Sequence, residues 1–134
     1  MFIEEIADKL VAAGVGARDV VIFLSSNAQF PLTTASVVIV DTGGAGSSRT
    51  QGNTATQHAT ASLTVRGVTF KDAYALAKAT YEALGGANGL YNLPLSGVQY
   101  LSINARQQPT DLGADADTGL SMVVFNIEAE KQPS

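Results

Sequence analysis

The sequence predicts an α+β fold in which two helices pack on one face of a largely antiparallel sheet of about five strands. Two segments carry apolar residues at helical spacing, and three others alternate apolar and polar residues. The elements follow in the order α-β-β-β-α-β-β. Strands with one polar face are typical of antiparallel sheets covered on one side only. We therefore expect the second sheet face to be free for partners.

Length and composition predict one acidic domain spanning residues 1–134. The chain is 46% hydrophobic, has no cysteine and carries a net charge of −4. A domain of this size folds without disulfides or metals, and a cysteine-free chain has no thiol nucleophile or zinc–thiolate site. Scattered basic residues argue against tight nucleic-acid binding. With no apolar run near the ~20 residues of a membrane span and no basic signal-peptide start, we expect a soluble, unexported protein.

The first helix is predicted from Phe2 to Ala13. Acidic residues lie in its first turns, where the helix dipole favours negative charge, and Gly14 to Gly16 follow its end. Its apolar positions, at three- and four-residue spacing, are Ile3, Ile6, Ala7, Leu10 and Val11. Two β-branched runs, Val20 to Leu24 and Val37 to Val40, predict the first two strands, with a loop between them.

Residues 42–58 predict an extended flexible arm or hairpin. The segment holds four glycines and several hydroxyl residues, with almost nothing that joins a core. Loops longer than about 12 to 15 residues are usually functional or become ordered on a partner. This arm is the clearest sequence indication of an interface.

The third strand and the second helix form one passage. Ala59 to Val65 alternates, which predicts one buried and one polar face. Thr69 and Asp72 have the spacing of a capping box at a helix start. The helix then runs to about Leu84 with a narrow alanine-rich stripe, and Gly85-Gly86 ends it.

The last two strands are separated by a turn-rich segment. In the fourth strand, Leu101, Ile103 and Ala105 are predicted to face away from the polar residues between them. Pro109 to Gly119 predicts turns, and Met122 to Glu130 alternates as the fifth strand.

Candidate metal and nucleotide sites in the sequence are weak. Asp115 and Asp117 resemble the opening of a calcium loop, but the later ligands and the closing acid are missing, which favours a polar turn. The glycine-rich segment from Gly43 to Ser48 follows a strand, yet no Lys-Ser/Thr pair follows it. We expect no cofactor.

An enzyme is the least favoured class. His58 is the only histidine, and no serine stands in a nucleophile-elbow setting. His58 is therefore expected to be solvated or to lie at an interface. The four tyrosines lack interleaved basic residues, which favours packing over base stacking.

Two patterns carry a resemblance to a known family. A strand with Arg66 leads to a helix of the form Tyr/Phe-x-x-Ala-x-x-x-Ala, and a Pro, a Leu-Gly turn, acids and a strand with Phe-Asn stand near the end. Over nearly its whole length the chain resembles the tail terminator, or minor capsid, proteins of long-tailed bacteriophages. Leu120 stands where that family often carries an arginine. The other matching residues are Phe70, Ala73, Ala77, Pro109, Leu112, Gly113, Asp115, Phe125 and Asn126.

The resemblance implies a homo-oligomeric ring, usually a hexamer, in the tail-neck region of a virion assembled in the host cytoplasm. Such a ring caps the tail tube protein, stops its polymerisation and joins the head-completion, or stopper, proteins. DNA passes through the lumen without specific binding, and an acidic protein would let it slide.

A closed ring needs two different contact patches on each subunit. Arg49, Gln51, His58 and Arg66 are the expected interface residues. Two alternatives stay open: another neck or tail-completion protein, or a small ligand- or metal-binding α+β domain.

Overall fold

The computed structural model describes residues 2–16, 21–24, 35–43, 48–49, 55–95, 98–114 and 120–131. These residues form an α+β fold, which confirms the predicted class, but they contain eight strands, so the prediction of about five was too low. The elements are α1 (Phe2–Ala12), β1 (Ile22–Leu24), β2 (Ser36–Gly43), β3 (Ser48–Arg49), β4 (Ala55–Gly67), α2 (Phe70–Ala83), β5 (Leu90–Leu95), β6 (Val98–Ala105), β7 (Thr110–Ala114) and β8 (Ser121–Lys131).

The sheet is built around its two longest strands, β4 and β8, which pair antiparallel along their length. On the far side of β4, β2 pairs antiparallel and β1 adds in parallel. On the far side of β8, β6 pairs with its C-terminal half and β7 with its N-terminal half, and β5 forms the edge beyond β6. The sheet is thus largely antiparallel, as predicted, with one parallel pair among the described strands.

Strands β3, β5 and β7 were not predicted because each lacks an alternating pattern. β3 is two residues long. β5 contains Pro94, whose lack of a backbone N–H is tolerated in an edge strand because one side of that strand has no neighbour to bond. β7 is exposed at all five positions and holds a bulge, with Gly113 at φ 84°. These three strands are recognised only by their backbone pairing, β3 with β4, β5 with β6 and β7 with β8.

The described residues form a hydrophobic core between the helices and one sheet face, here called the inner face. Buried residues of α1 and α2 pack there against the alternate residues Ala61, Leu63 and Val65 of β4 and their counterparts on β8. The Thr69 side chain accepts a hydrogen bond from the backbone N–H of Asp72 at 3.2 Å, which confirms the predicted cap of α2.

Gly67 permits the tight turn between β4 and α2. A Cβ atom at this position would lie 2.5 Å from the backbone nitrogen of Ala73, closer than packed atoms allow. The alanine-rich side of α2 therefore approaches the end of the strand directly, with Ala73 and Ala77 fully buried.

A bulge in β6 shifts its inward residues. The register changes between Tyr100 and Ser102, so Tyr100 is fully buried and Leu101 is only half-buried. The prediction that Leu101 faces inward was therefore wrong, because simple alternation does not allow for an extra residue.

The opposite, outer face carries the polar positions of the central strands. Thr60, Ser62 and Thr64 of β4 are half-buried there, beside Asn126 and Glu128 of β8. Both helices pack on the inner face instead. Among the described helices, none has the length and apolar character required to cross a membrane.

Candidate assembly interface

Two of the residues expected at an interface, His58 and Arg66, lie on the outer face of β4. They are eight residues apart on one strand, which separates them by roughly 27 Å at ~3.4 Å per residue. His58 pairs with Glu130 of β8 in the sheet register, and Arg66 pairs with Ser36 and Met122. The structure therefore places these two side chains at opposite ends of the same face.

The rest of the predicted site is only partly described. Arg49 lies in β3 and pairs with Ala55, but its side chain is not described, and Gln51 falls outside the described residues. Asp115 and Asp117 fall outside them too. Within the part of the chain that the structure describes, no group of three or more metal-ligating side chains is present.

A polar cleft, here called the acidic cleft, lies around His58 on the outer face. It has a volume of about 310 Å³ and runs across β4, β8 and β6. The His58 Nε2 atom lies 3.4 Å from a carboxylate oxygen of Glu130, and the two side chains are 32% and 45% exposed. Two carboxylates and one imidazole give the cleft an acidic character. Its lining residues are His58, Ala59, Thr60, Ser102, Asn104, Glu128, Ala129 and Glu130.

A second, apolar surface lies at the start of α2, and it was not predicted from the sequence. Val68, Phe70 and Tyr74 are 65%, 48% and 44% exposed, and the rings of Phe70 and Tyr74 are 5.7 Å apart. We call these three residues the α2 patch. The sequence feature that could have revealed the patch is the four-residue spacing of Phe70 and Tyr74, which puts both rings on one side of α2 outside the alanine-rich stripe.

The α2 patch continues into a shallow groove between α2 and the corner that joins β6 to β7. This groove has a volume of about 190 Å³ and is lined by Tyr74, Lys78, Tyr81, Glu82, Gln108 and Pro109. Tyr81 is held in place by an edge-to-face contact with the ring of buried Phe125, at 5.7 Å between centroids. The aromatic surface is thus supported by the core.

A buried polar cluster joins α1 to the end of the sheet. The Tyr100 hydroxyl donates a hydrogen bond to the Glu5 carboxylate, and the Lys131 ammonium lies 3.5 Å from the same oxygen. The ammonium also lies 5.9 Å and 5.8 Å from the ring centroids of Phe2 and Tyr100. The α2 patch and the cleft are open to solvent, whereas this cluster is not.

Burial raises the pKa of Tyr100 well above its ordinary value, and the hydrogen bond and negative charge of Glu5 add to the effect.

Little in the sequence indicated this buried cluster. Glu5 follows Phe2 by three residues, and Lys131 continues the inward positions of β8 by one more step. Its role is to fix α1 against β6 and β8.

Compared by sequence, the chain matches no family model and no curated protein. Compared by structure, it is similar to a chain in the virion of a native gene transfer agent (GTA) particle, with a TM-score of 0.66 and 15% identity. The superposition covers 98% of this chain and 94% of that chain. At this identity the likeness establishes the fold, and it does so over nearly the full length of both chains.

Proposed function

We propose that this protein is a structural component of a phage-like particle, and specifically a tail terminator. In this role it forms a ring, a hexamer in the family it resembles, that caps the tail tube and stops tube polymerisation. The same ring forms the joint to the head-completion proteins of the neck. The fold likeness to a GTA virion chain over 98% of this protein carries the proposal. The tail-terminator resemblance of the sequence supplies the more specific role.

The surfaces of the subunit support a role in assembly. A ring needs two different patches, because each subunit contacts its two neighbours through opposite sides. The acidic cleft lies on the outer face, and the α2 patch lies on the helix side of the sheet. The net charge of −4 favours a lumen through which DNA slides rather than one that holds it. Such a ring needs no catalytic group and no cofactor.

Two measurements test this function. Light scattering across protein concentration and ionic strength, followed by negative-stain imaging, should reveal rings close in mass to a hexamer. Added to polymerising tail tube protein, the chain should bind tube ends and shorten the tubes. A control with heat-unfolded chain should leave tube length unchanged.

A different result would contradict the proposal. A chain that stays monomeric, fails to bind tube ends and leaves tube growth unchanged is not a terminator. A stable monomer whose melting temperature rises with a metal ion or small molecule would instead support the ligand-binding alternative.

A further inference from the structure

The α2 patch has the composition of a contact surface. Phe70 and Tyr74 lie one turn apart on a helix, with adjacent exposed rings, and Val68 extends the apolar area toward the end of β4. Exposed aromatic residues on a rigid element supply much of the binding energy in protein interfaces, because little side-chain freedom is lost on contact. An exposed apolar patch of adjacent rings on a helix therefore indicates a partner.

The charges beside the α2 patch define the kind of partner it fits. Lys71 and Asp72 follow Phe70 directly, and Lys78 and Glu82 lie four and eight residues beyond Tyr74, so a lysine and an acidic residue accompany each aromatic ring. Both lysines are exposed. A complementary surface must accept an aromatic, apolar patch and offer carboxylates to the two ammonium groups.

The acidic cleft on the outer face meets these requirements. Glu128 is exposed and Glu130 half-buried along β8, and the cleft volume of about 310 Å³ exceeds that of one large side chain. His58 is the single basic group among its lining residues. Beside the cleft, the outer face also carries apolar side chains that can receive the exposed rings. Val40 of β2, 37% exposed, lies opposite Ser62, and half-buried Val124 of β8 lies opposite Thr64.

We propose that the α2 patch of one subunit docks on the outer face of a second copy of this chain, with Lys78 directed to the Glu128–Glu130 cleft. The two surfaces lie on opposite sides of the sheet, so a twofold dimer cannot form both patch-to-cleft contacts at once. Contact between them is head-to-tail and extends from subunit to subunit. The inference rests on the proposed function and assigns the surfaces through which the ring subunits touch.

Charge reversal across the two surfaces tests this contact. Lys78→Glu and Glu128→Lys each place like charges opposite each other, and each should weaken self-association about tenfold or more. Mixing the two variants in equal amounts should restore association, because a ring in which the two variants alternate contains only native pairs and reversed pairs. The double variant Lys78→Glu/Glu128→Lys should associate as the native chain does.

Matched controls separate the contact from folding and from net charge. Glu4→Lys makes the same charge change as Glu128→Lys at an exposed position of α1 and should leave association unchanged. Phe70→Ser/Tyr74→Ser removes the exposed rings and should weaken association without restoration by Glu128→Lys. Circular dichroism and thermal unfolding verify that each variant is folded.

The outcomes distinguish the contact from the function. Single variants that form rings as readily as the native chain, or a mixture that stays dissociated, would overturn the assigned surfaces while leaving a native ring that caps tubes intact. A native chain that self-associates through these surfaces, with restoration on mixing, but never binds tube ends would support the contact and overturn the terminator role.

Discussion

Glu130 and Lys131 are neighbours at the end of β8, yet their side chains point to opposite faces of the sheet and meet different surroundings. Glu130 contacts His58 on the outer face, where the side chains are 45% and 32% exposed. Lys131 contacts Glu5 on the inner face, where the side chains are 7% and 6% exposed. Two side-chain contacts formed one residue apart therefore differ in their access to water.

This difference separates stability from assembly. An exposed ion pair is weakened by water and salt and contributes little to stability, but its groups remain available to another molecule. In a buried pair, each charge depends on its partner, because water no longer solvates it. The inner pair is therefore expected to hold the fold together, and the outer pair to serve contacts between molecules.

The largest effect is expected from breaking the inner pair. Lys131→Met removes the ammonium and leaves the Glu5 carboxylate buried without its cationic partner. We expect the free energy of unfolding to fall by about 3 to 5 kcal/mol. Urea denaturation followed by circular dichroism measures this change.

A triple variant provides the control for the inner pair. Glu5→Leu/Tyr100→Phe/Lys131→Met replaces these three side chains with apolar ones and should recover most of the lost stability, since the Glu5 carboxylate is no longer buried without Lys131. A single Lys131→Met variant that loses less than about 1 kcal/mol would show that the inner pair behaves like an exposed pair.

A smaller loss is expected from Tyr100→Phe. This change keeps the buried ring and removes the hydroxyl that donates to Glu5. Because a buried acceptor loses one partner but keeps Lys131, we expect a loss of about 1 to 3 kcal/mol in the free energy of unfolding. Tyr91→Phe, at an exposed position, is the matched control and should leave stability within about 0.5 kcal/mol.

The same hydroxyl predicts a pH dependence on the alkaline side. The pKa of Tyr100 is raised in the folded state above its ordinary value of 10.0. Well below pH 10 the hydroxyl is protonated in both the folded and the unfolded chain, so it does not affect how the free energy of unfolding changes with pH. Above that value, the unfolded chain releases the proton while the folded chain keeps it, so stability falls as pH rises.

Comparison with Tyr100→Phe isolates this contribution. Between pH 10 and 11, the stability of the native chain should decline more steeply than that of the variant, by up to about 1.4 kcal/mol per pH unit. Denaturant titrations at several alkaline pH values measure both slopes. Equal slopes would show that Tyr100 ionises as readily in the folded chain as in the unfolded one.

The smallest effect on stability is expected at the outer pair. His58→Ala removes an exposed partner of Glu130, so the free energy of unfolding should change by no more than about 1 kcal/mol, and less at high salt. A loss comparable with that of Lys131→Met would remove the distinction between the two faces. Thermal unfolding at low and high ionic strength makes the comparison.

The sequence predicted the elements that carry their own pattern. Both helices, the Thr69 cap and the alternation of β4 and β8 were found as expected, because repeated burial on one face leaves a periodic trace in the chain. β7 left no such trace because all five of its positions are exposed, and in β5 the core-packed residues Leu90 and Leu93 are three apart because Asn92, at φ 52°, interrupts the alternation.

The candidate site was anticipated only in part. His58 and Arg66 lie on the sheet face opposite the described helices, while the interface role of all four predicted residues stays a prediction. The α2 patch and the Glu5 cluster were missed. Exposed aromatic residues on an amphipathic helix resemble core residues in sequence, and a buried glutamate resembles a solvated one.

By itself, the sequence determined the α+β class, the helix boundaries and which face of each long strand is apolar, because these follow from local spacing and from the transfer of apolar side chains out of water. Tertiary structure alone decided which strands are neighbours, where the bulge places Tyr100, and that Lys131 meets Glu5, which lies far away in the chain. Such contacts depend on the register between distant segments, and a linear pattern carries no record of that register.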